Sequence, residues 1–347
     1  MELADQIKLW AKEIGFTNLG IADPNLSAYQ THLENWLELG FQAEMDFMNH
    51  NQEKRLNPQE LMRQTKSIIC VNLSYQACSF AKLTNDWQQN NAISSYAARR
   101  DYHKVMYKKL HQLADKISQA VDRFNYRAFC DNAPVLEKAL AEKSGIGWVG
   151  KYTCLVNKQN GSQFFLGELF TDLELPFDHA HENHCASCNK CIAACPTKAL
   201  KAPYTLDAKL CIAYLTLEHK TSIPIELRKL IGQRIVGCDE CQLSCPWNRI
   251  MQDELQQQKT SPEECAKKLI ELFDWSEAEF LTKTQGTSIR RLGYERWLRN
   301  LAVALGNSPY DPAIIHALKN RLNHPSPMVQ EHIHWAMGVR YRQRTSS

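Results

Sequence analysis

Hydrophobic residues recur with two different periods in the first half of the chain. Between Leu3 and Ile14 they fall at every third or fourth position, which predicts an amphipathic surface helix. Two runs rich in β-branched and aromatic residues, 67–74 (SIICVNLS) and 164–170 (FFLGELF), predict strands. Because helical and strand patterns alternate up to about residue 175, this part is predicted to be a mixed α/β or α+β domain.

The second half of the chain has two further patterns. Residues 176–250 are dense in cysteine and poor in long apolar runs, so we expect bound metal rather than an ordinary core to organise them. After them, YERWLRNLAVALGN and the following segment read as paired helices separated by Asn, Pro and Ser turns, similar to a short HEAT-type repeat. The predicted domains are therefore 1–175, 176–250 and 251–347, in a protein that is α+β overall.

Composition and charge narrow the class of protein. Of the 347 residues 23% are charged and the net charge is +3, which is typical of globular rather than disordered or fibrous chains. No secretory pattern or long apolar run is present, so a cytoplasmic location is expected. Residues 286–347 nevertheless carry nine Lys and Arg against three acidic residues. This tail is a candidate nucleic-acid surface, with solvated charge on a helix face as the alternative.

Eight of the thirteen cysteines have the spacing of iron–sulfur ligands. HCASCNKCIAACP has the C-x2-C-x2-C-x3-C-P pattern of bacterial ferredoxins, and GCDECQLSCP repeats its ending. Since the last cysteine of each motif ligates the other cluster, two 4Fe-4S clusters are predicted, one on Cys185, Cys188, Cys191 and Cys245 and one on Cys195, Cys211, Cys238 and Cys241. Structural zinc is the alternative, but zinc does not require the x3-C-P ending twice. A protein with two such clusters is either an electron carrier or an enzyme whose clusters pass electrons to another centre.

Several segments resemble the epoxyqueuosine reductase family. In the family's order they are EKRLNPQELM, YAARRDYHKVMYKKL, FCDNAPVLEKALAEKSGIGWVGKYTCLV, the cysteine block ending CPWN, and RRLGYERWLRNLAVALGN. The resemblance spans nearly the whole chain. It implies a cobalamin-dependent oxidoreductase that reduces epoxyqueuosine to queuosine at the tRNA wobble position, the last step of queuosine biosynthesis. It also implies an N-terminal cobalamin-binding domain related to reductive dehalogenases, a ferredoxin-like module that delivers electrons to cobalt, and a HEAT-like tail that binds tRNA.

The resemblance places a proton donor at Asp131. Reductive opening of an epoxide requires a proton for the departing oxygen, and Asp131 matches the family's catalytic acid. A carboxyl that stays protonated at neutral pH needs a desolvated pocket, with which Phe129, Cys130 and Pro134 are compatible. A turn or helix cap is the alternative role for Asp131.

The resemblance also implies which residues lie beside the corrin. The matching positions are Arg55, Tyr96, Asp131, Lys151, Cys154, Leu166 and Ala213. Lys151 ends the glycine-dense segment GIGWVGK, where the backbone can approach a bulky cofactor closely. At Ala213 the family more often has a small hydroxyl residue, so this chain cannot make a side-chain hydrogen bond there. No D-x-H-x-x-G motif occurs, so a histidine cobalt ligand of that kind is not expected.

The basic residues of the tail are the candidate phosphate contacts for tRNA. They are Arg290, Arg291, Arg296, Arg299, Lys319 and Arg321, extended by Arg340 and Arg342. Trp297 could stack on a base, but its apolar neighbours favour packing in the core.

Two alternatives to the reductase remain at this point. One is an electron carrier that performs no chemistry, and the other is a corrinoid reductase of small organohalides, which would leave the basic tail unexplained. A monomer served by an unidentified electron donor is expected.

Overall fold

The computed structural model describes residues 2–75, 92–249, 252–253 and 261–344. Its helices are α1 Leu3–Ile14, α2 Gln30–Glu38, α3 Gln52–Leu56, α4 Tyr102–Ala120, α5 Glu137–Lys143, α6 Lys190–Ala194, α7 Ile212–Leu217, α8 Ile225–Ile231, α9 Glu240–Leu243, α10 Pro262–Asp274, α11 Glu277–Lys283, α12 Tyr294–Asn307, α13 Pro312–Asn320 and α14 Pro327–Arg344. Its strands are β1 Asn18–Ala22, β2 Ser67–Ser74, β3 Tyr126–Phe129, β4 Trp148–Val149, β5 Leu155–Val156, β6 Phe164–Thr171, β7 Leu200–Ala202 and β8 Thr205–Leu206. The predicted first helix and both predicted strands are confirmed.

Four strands form an antiparallel sheet in the order β1-β2-β6-β3. Successive residues of a strand point to opposite faces, and the core divides accordingly. Ile69 and Val71 pack with α1 and α4 on one face, whereas Ile68 and Cys70 pack with α5 on the other. The first part of the chain is therefore a three-layer structure with helices on both sides of an antiparallel sheet.

The cysteine-rich part has short elements and a small apolar core. Helices α6 and α9 carry cysteines of the two motifs and contact each other. The two-stranded pair β4-β5 packs against this module through Trp148 and Tyr152, which share a cluster with Cys191 and Cys245.

In the described part of the tail, five helices, α10 to α14, form a bundle with α12 at its centre. Trp297 of α12 is fully buried and stacks on Trp275, so its predicted packing role is confirmed. Residues 92–98 lie in this same core, although they are distant in sequence, and Ile93 pairs with Val236 as an isolated bridge. The helical character predicted for the tail is confirmed, and the domain limits stay a prediction.

No helix among the described residues is both long and apolar enough to cross a membrane.

Candidate active site and iron–sulfur centres

The first predicted set of cluster ligands lines one cavity. Cys185, Cys188, Cys191 and Cys245 border a space of about 520 Å³. Cys185 and Cys188 are partly exposed, and three exposed cations, Lys158, Lys190 and Arg249, surround the opening. The aromatic rings of Trp148, His184 and Trp247 pack together beside it.

The four cysteines of the second predicted set are partly buried. Cys211 and Cys238 pack against an apolar cluster that includes Val303 of the tail. Cys211 is the common neighbour of this set. Cys195 lies close enough to raise the pKa of the Cys211 thiol, and Cys211 lies close enough to raise the pKa of the Cys238 and Cys241 thiols. Asp239 is buried between the last two cysteines, accepting the Ser94 hydroxyl at 2.5 Å and the Ser95 backbone N–H at 2.8 Å. Residues 94–95 thereby fix the loop that presents these thiols.

Among the described residues, no group of three or more His, Cys, Asp or Glu side chains has the arrangement that holds a single metal ion. A cubane spreads its four thiolates over four irons, whereas zinc gathers four ligands around one centre.

Lys151 joins the β4-β5 turn to the first cysteine motif. Its ammonium donates to the Ala186 carbonyl at 2.7 Å and to the Asn189 side chain at 3.1 Å. Gly147, four residues before Lys151, has a packing role as well, since a Cβ there would lie 2.2 Å from the Val156 carbonyl oxygen. The glycine-dense segment therefore allows β4 and β5 to approach closely. The contact of Lys151 with a corrin stays a prediction.

Asp131 lies on an exposed loop between β3 and α5. Tyr102, in the first turn of α4, donates its hydroxyl to the Asp131 carboxylate. The side chain caps no helix, because α5 begins at Glu137 with Leu136 in the cap position. The flanking Phe129 and Cys130 are buried as expected, but the Asp131 side chain itself is exposed, so the desolvated pocket expected from the sequence is not present in the chain alone.

Two further acids lie beside Asp131. Glu137 accepts the backbone N–H of Asp131, and Glu168 is completely buried on the α5 face of the sheet. Burial raises the pKa of both carboxyls, and the nearby Asp131 carboxylate raises both further; Glu137 also raises the pKa of Glu168.

The other predicted corrin residues are distributed around this loop. Tyr96 is close enough to Asp131 and Asp239 for both to raise its pKa, in addition to the larger effect of burial. Arg55 is buried with Nη2 donating to the Phe47 carbonyl, and Glu137 lies close enough to influence its pKa. Cys154 lies near both Cys211 and Cys245. Leu166 is on β6 two residues before Glu168, and Ala213 follows Cys211 on α7.

The structure divides the predicted tRNA-binding residues into two groups. Arg290, Arg291 and Lys319 are exposed. Arg296 and Arg321 are half-buried and donate to backbone carbonyls of Leu217 and Trp275, respectively.

The prediction that Arg299 contacts tRNA is wrong. It is fully buried, and its guanidinium donates to the carbonyls of Leu215, His219 and Thr221 at 2.7 Å each. Arg340 is likewise fully buried on the carbonyls of Gly306 and Ser308, which excludes it from a phosphate track. The side chain of Arg342 lies outside the described residues.

A basic cleft joins the tail to the sheet domain. A cavity of about 420 Å³ is lined by Arg290 and Arg291 from the tail, by Arg100 just before α4 and by Lys104 in the first turn of α4. Asp101 partly neutralises it, pairing with Arg291 at 3.1 Å.

Sequence reasoning missed several residues of the site. Tyr102 and Glu137 fall within motifs that were used for the resemblance, yet neither spacing nor composition gave them a role. Their signal is spatial, since α4 and α5 bring them to Asp131 from opposite sides of the sheet.

The fold and the two cysteine sets define a two-cluster iron–sulfur oxidoreductase. Residues 184–248 match the sequence model of the 4Fe-4S double cluster binding domain, and residues 55–132 match the model described as Epoxyqueuosine reductase QueG, DUF1730. The chain is 47% identical to the epoxyqueuosine reductase of Pseudomonas aeruginosa over 96% of its own length and 94% of that protein's. It is 44% identical to the enzyme of Escherichia coli, over 99% of its length and 91% of that protein's. The chain belongs to the epoxyqueuosine reductase family.

Solved structures of relatives agree with this membership. The epoxyqueuosine reductase of Streptococcus thermophilus superposes with a TM-score of 0.84 at 26% identity, covering 99% of this chain and 91% of that one. An epoxyqueuosine reductase bound to an epoxyqueuosine-modified tRNA-Tyr stem loop superposes with a TM-score of 0.82 at 28% identity, covering 97% and 90%.

The cluster assignment gives a direct prediction. We expect Cys245→Ser to lower the iron content of the anaerobically reconstituted protein from about eight to about four atoms per chain, because one 4Fe-4S cluster loses a ligand. Iron and sulfide analysis with electron paramagnetic resonance measures this. Cys265→Ser, a buried thiol in α10, is the matched control and should keep full occupancy. Equal iron in both variants would contradict the assignment.

Proposed function

We propose that this enzyme reduces epoxyqueuosine in the tRNA anticodon to queuosine, the last step of queuosine biosynthesis, in the cytoplasm and as a monomer. The observation that carries the proposal is the near full-length identity of 44–47% to epoxyqueuosine reductases, together with the likeness to a relative bound to modified tRNA. The overall change replaces an epoxide by an alkene. It takes two electrons and two protons and releases the oxygen as water.

Cobalamin is the cofactor that we propose for the site. Buried polar atoms in this region lack a hydrogen-bond partner among the described residues, including Arg55 Nε, Asn157 Nδ2 and Gln163 Nε2, and the amide-bearing rim of a corrin would pair with such groups. Arg55, Tyr96, Cys154, Leu166 and Ala213 would surround it, in an N-terminal domain related to reductive dehalogenases. When bound, cobalamin supplies the electron pair for the epoxide.

Asp131 is the proposed proton donor. Its exposed loop position leaves the carboxyl accessible to a bound nucleoside, and the Tyr102 hydroxyl holds it in place. Binding of cofactor and nucleoside would supply the desolvation that the chain alone does not provide, which favours the protonated acid. A solved structure of the Bacillus subtilis relative is described with its catalytic aspartate loop swung out of the active site, which agrees with a catalytic role for an aspartate on a movable loop in this family.

Electrons are proposed to enter through the first cluster. The cysteines of that set line a cavity, and Cys185 and Cys188 are partly exposed there. The three cations around the first cavity would attract an acidic electron-donor protein, since complementary charge accelerates encounter. The second cluster then connects to the corrin region through the neighbourhood of Cys154.

The tRNA is proposed to bind across the basic cleft and along a HEAT-like tail. The cleft adjoins the first turn of α4, and Tyr102 in that turn contacts Asp131. A phosphate bound by Arg290, Arg100 and Lys104 would therefore lie close to the proposed catalytic acid, as the wobble position requires.

We expect Arg290→Glu to weaken binding of an anticodon stem loop by about tenfold and to reduce the salt dependence by about one phosphate contact. Fluorescence anisotropy at several salt concentrations measures both quantities. Lys12→Glu on α1 is the control of equal charge change, since it lies outside the cleft. Equal affinities for the two variants would remove Arg290 from the interface.

The whole proposal is tested by anaerobic reconstitution with iron, sulfide and cobalamin, followed by mass analysis of nucleosides from epoxyqueuosine-containing tRNA. Conversion to queuosine is expected after addition of a strong reductant. Intact clusters and bound cobalamin without conversion would overturn the substrate, and failure to bind cobalamin would favour an electron carrier.

A further inference from the structure

Asp131 has a backbone conformation that needs support. Its φ of 53° lies in the left-handed region, which a residue with a Cβ adopts only at an energetic cost. The next residues run through a bend before α5 begins at Glu137. Something in the surrounding structure must therefore hold this loop.

Glu137 is the group that contacts the strained residue. The Oε1 atom of its side chain accepts the backbone N–H of Asp131. Tyr102 holds the other end of the same residue by donating to the carboxylate. The Asp131 loop is thus fixed from two sides, by a residue of α5 at its peptide group and by a residue of α4 at its side chain.

Glu168 lies behind Glu137 in the sheet. It is fully buried, and its neighbours across the strands are Cys70 on β2 and Phe129 on β3, both on the α5 face. Two nearby cations make other contacts: the Lys138 ammonium donates to the Thr153 carbonyl, and Arg55, which lies near Glu137, donates to the Phe47 carbonyl. Burying the Glu168 carboxyl completely, with neither oxygen hydrogen-bonded to a described residue, lowers stability, so packing alone does not account for it.

We propose that Glu137 is a positioning residue that holds the Asp131 loop in its left-handed conformation, with Glu168 supporting the Glu137 carboxyl from the sheet. The proposal rests on the function assigned above, because it concerns how the proton donor is presented to the nucleoside. Two adjacent carboxyls, one completely and one partly buried, do not both ionise readily, so the pair retains a proton that Glu168 can donate to Glu137. Burial and the Asp131 charge raise the pKa of Glu137 to about 8, which agrees with such a pair.

Amide hydrogen exchange tests the contact directly in the protein without substrate. We expect Glu137→Ala to accelerate exchange in a peptide spanning residues 129–136, whereas Glu137→Gln should leave it slow, since the amide oxygen still accepts the Asp131 N–H. Glu142→Ala is the matched control, because Glu142 lies on the same helix and accepts the backbone N–H of Val149 at 2.6 Å. Unchanged exchange in Glu137→Ala, or acceleration by Glu142→Ala to the same extent, would overturn the proposal.

Kinetics separate positioning from general stability. Glu137→Ala is expected to lower kcat by about 10- to 100-fold with the KM for tRNA nearly unchanged, because a misplaced donor affects the chemical step. Glu137→Gln should restore most of kcat, and Glu142→Ala should retain it. A loss in Glu137→Gln as large as in Glu137→Ala would overturn the positioning role. If the unmodified enzyme fails to convert epoxyqueuosine, the proposed function fails, while the exchange experiment still decides the contact.

Discussion

Replacement of Asp131 by Asn is expected to lower turnover by about 10²- to 10⁴-fold, the usual contribution of a general acid. The amide cannot give up a proton to the departing epoxide oxygen, but it still accepts the Tyr102 hydroxyl, so the loop should keep its shape. Single-turnover conversion of epoxyqueuosine tRNA measures the effect, with iron content and cobalamin absorbance recorded on the same sample.

The control for this variant is Asp122→Asn, which makes the same chemical change on an exposed turn before β3. It should retain full turnover. If Asp131→Asn converted the substrate at the normal rate with clusters and cofactor in place, Asp131 would have no part in the mechanism, and the proton would have to come from another group.

The second large effect is expected from Arg299→Met, which should lower the free energy of unfolding by about 3–5 kcal/mol. Arg299 donates to three backbone carbonyls in the segment between Cys211 and Cys238, two of them on the buried residues Leu215 and His219, and it also contacts Asn300. Burial lowers its pKa to about 9, and a methionine of similar length would leave those carbonyls without a donor. Anaerobic guanidinium unfolding should show the loss, together with weaker retention of the second cluster.

Arg290→Met is the matched control for Arg299→Met. Its side chain is exposed, so the change in unfolding free energy should stay within about 0.5 kcal/mol. If Arg299→Met proved as stable as this control, the hydrogen bonds of the buried guanidinium would not contribute to the free energy of unfolding as expected.

Much of the fold was predictable because local patterns determine it. The strand at 67–74 and the helix Tyr294–Asn307 coincide with the segments predicted from hydrophobic periodicity. The cysteine motifs were equally clear, since iron–sulfur ligands are close in sequence and their spacing is constrained by the cluster.

Contacts between distant segments were not predictable. Arg296 and Arg299 are three residues apart on one helix, yet the first is half-buried and the second has no exposed surface, and nothing in the sequence distinguishes them. Likewise, Tyr102 and Glu137 reach Asp131 only because α4 and α5 lie on opposite faces of one sheet. Glu168 is an acid in an otherwise apolar strand, a departure from pattern that is itself a sequence signal for a site.

The placement of residues 92–98 in the core of the tail has a consequence for engineering. These residues lead directly into α4, whose first turn holds Asp131 through Tyr102. A chimaera that exchanged only the C-terminal helices between relatives would set a foreign surface against this inserted segment and disturb the start of α4. Transplanting tRNA preference should therefore require moving residues 92–101 together with the tail, as one graft made of two separate pieces of chain.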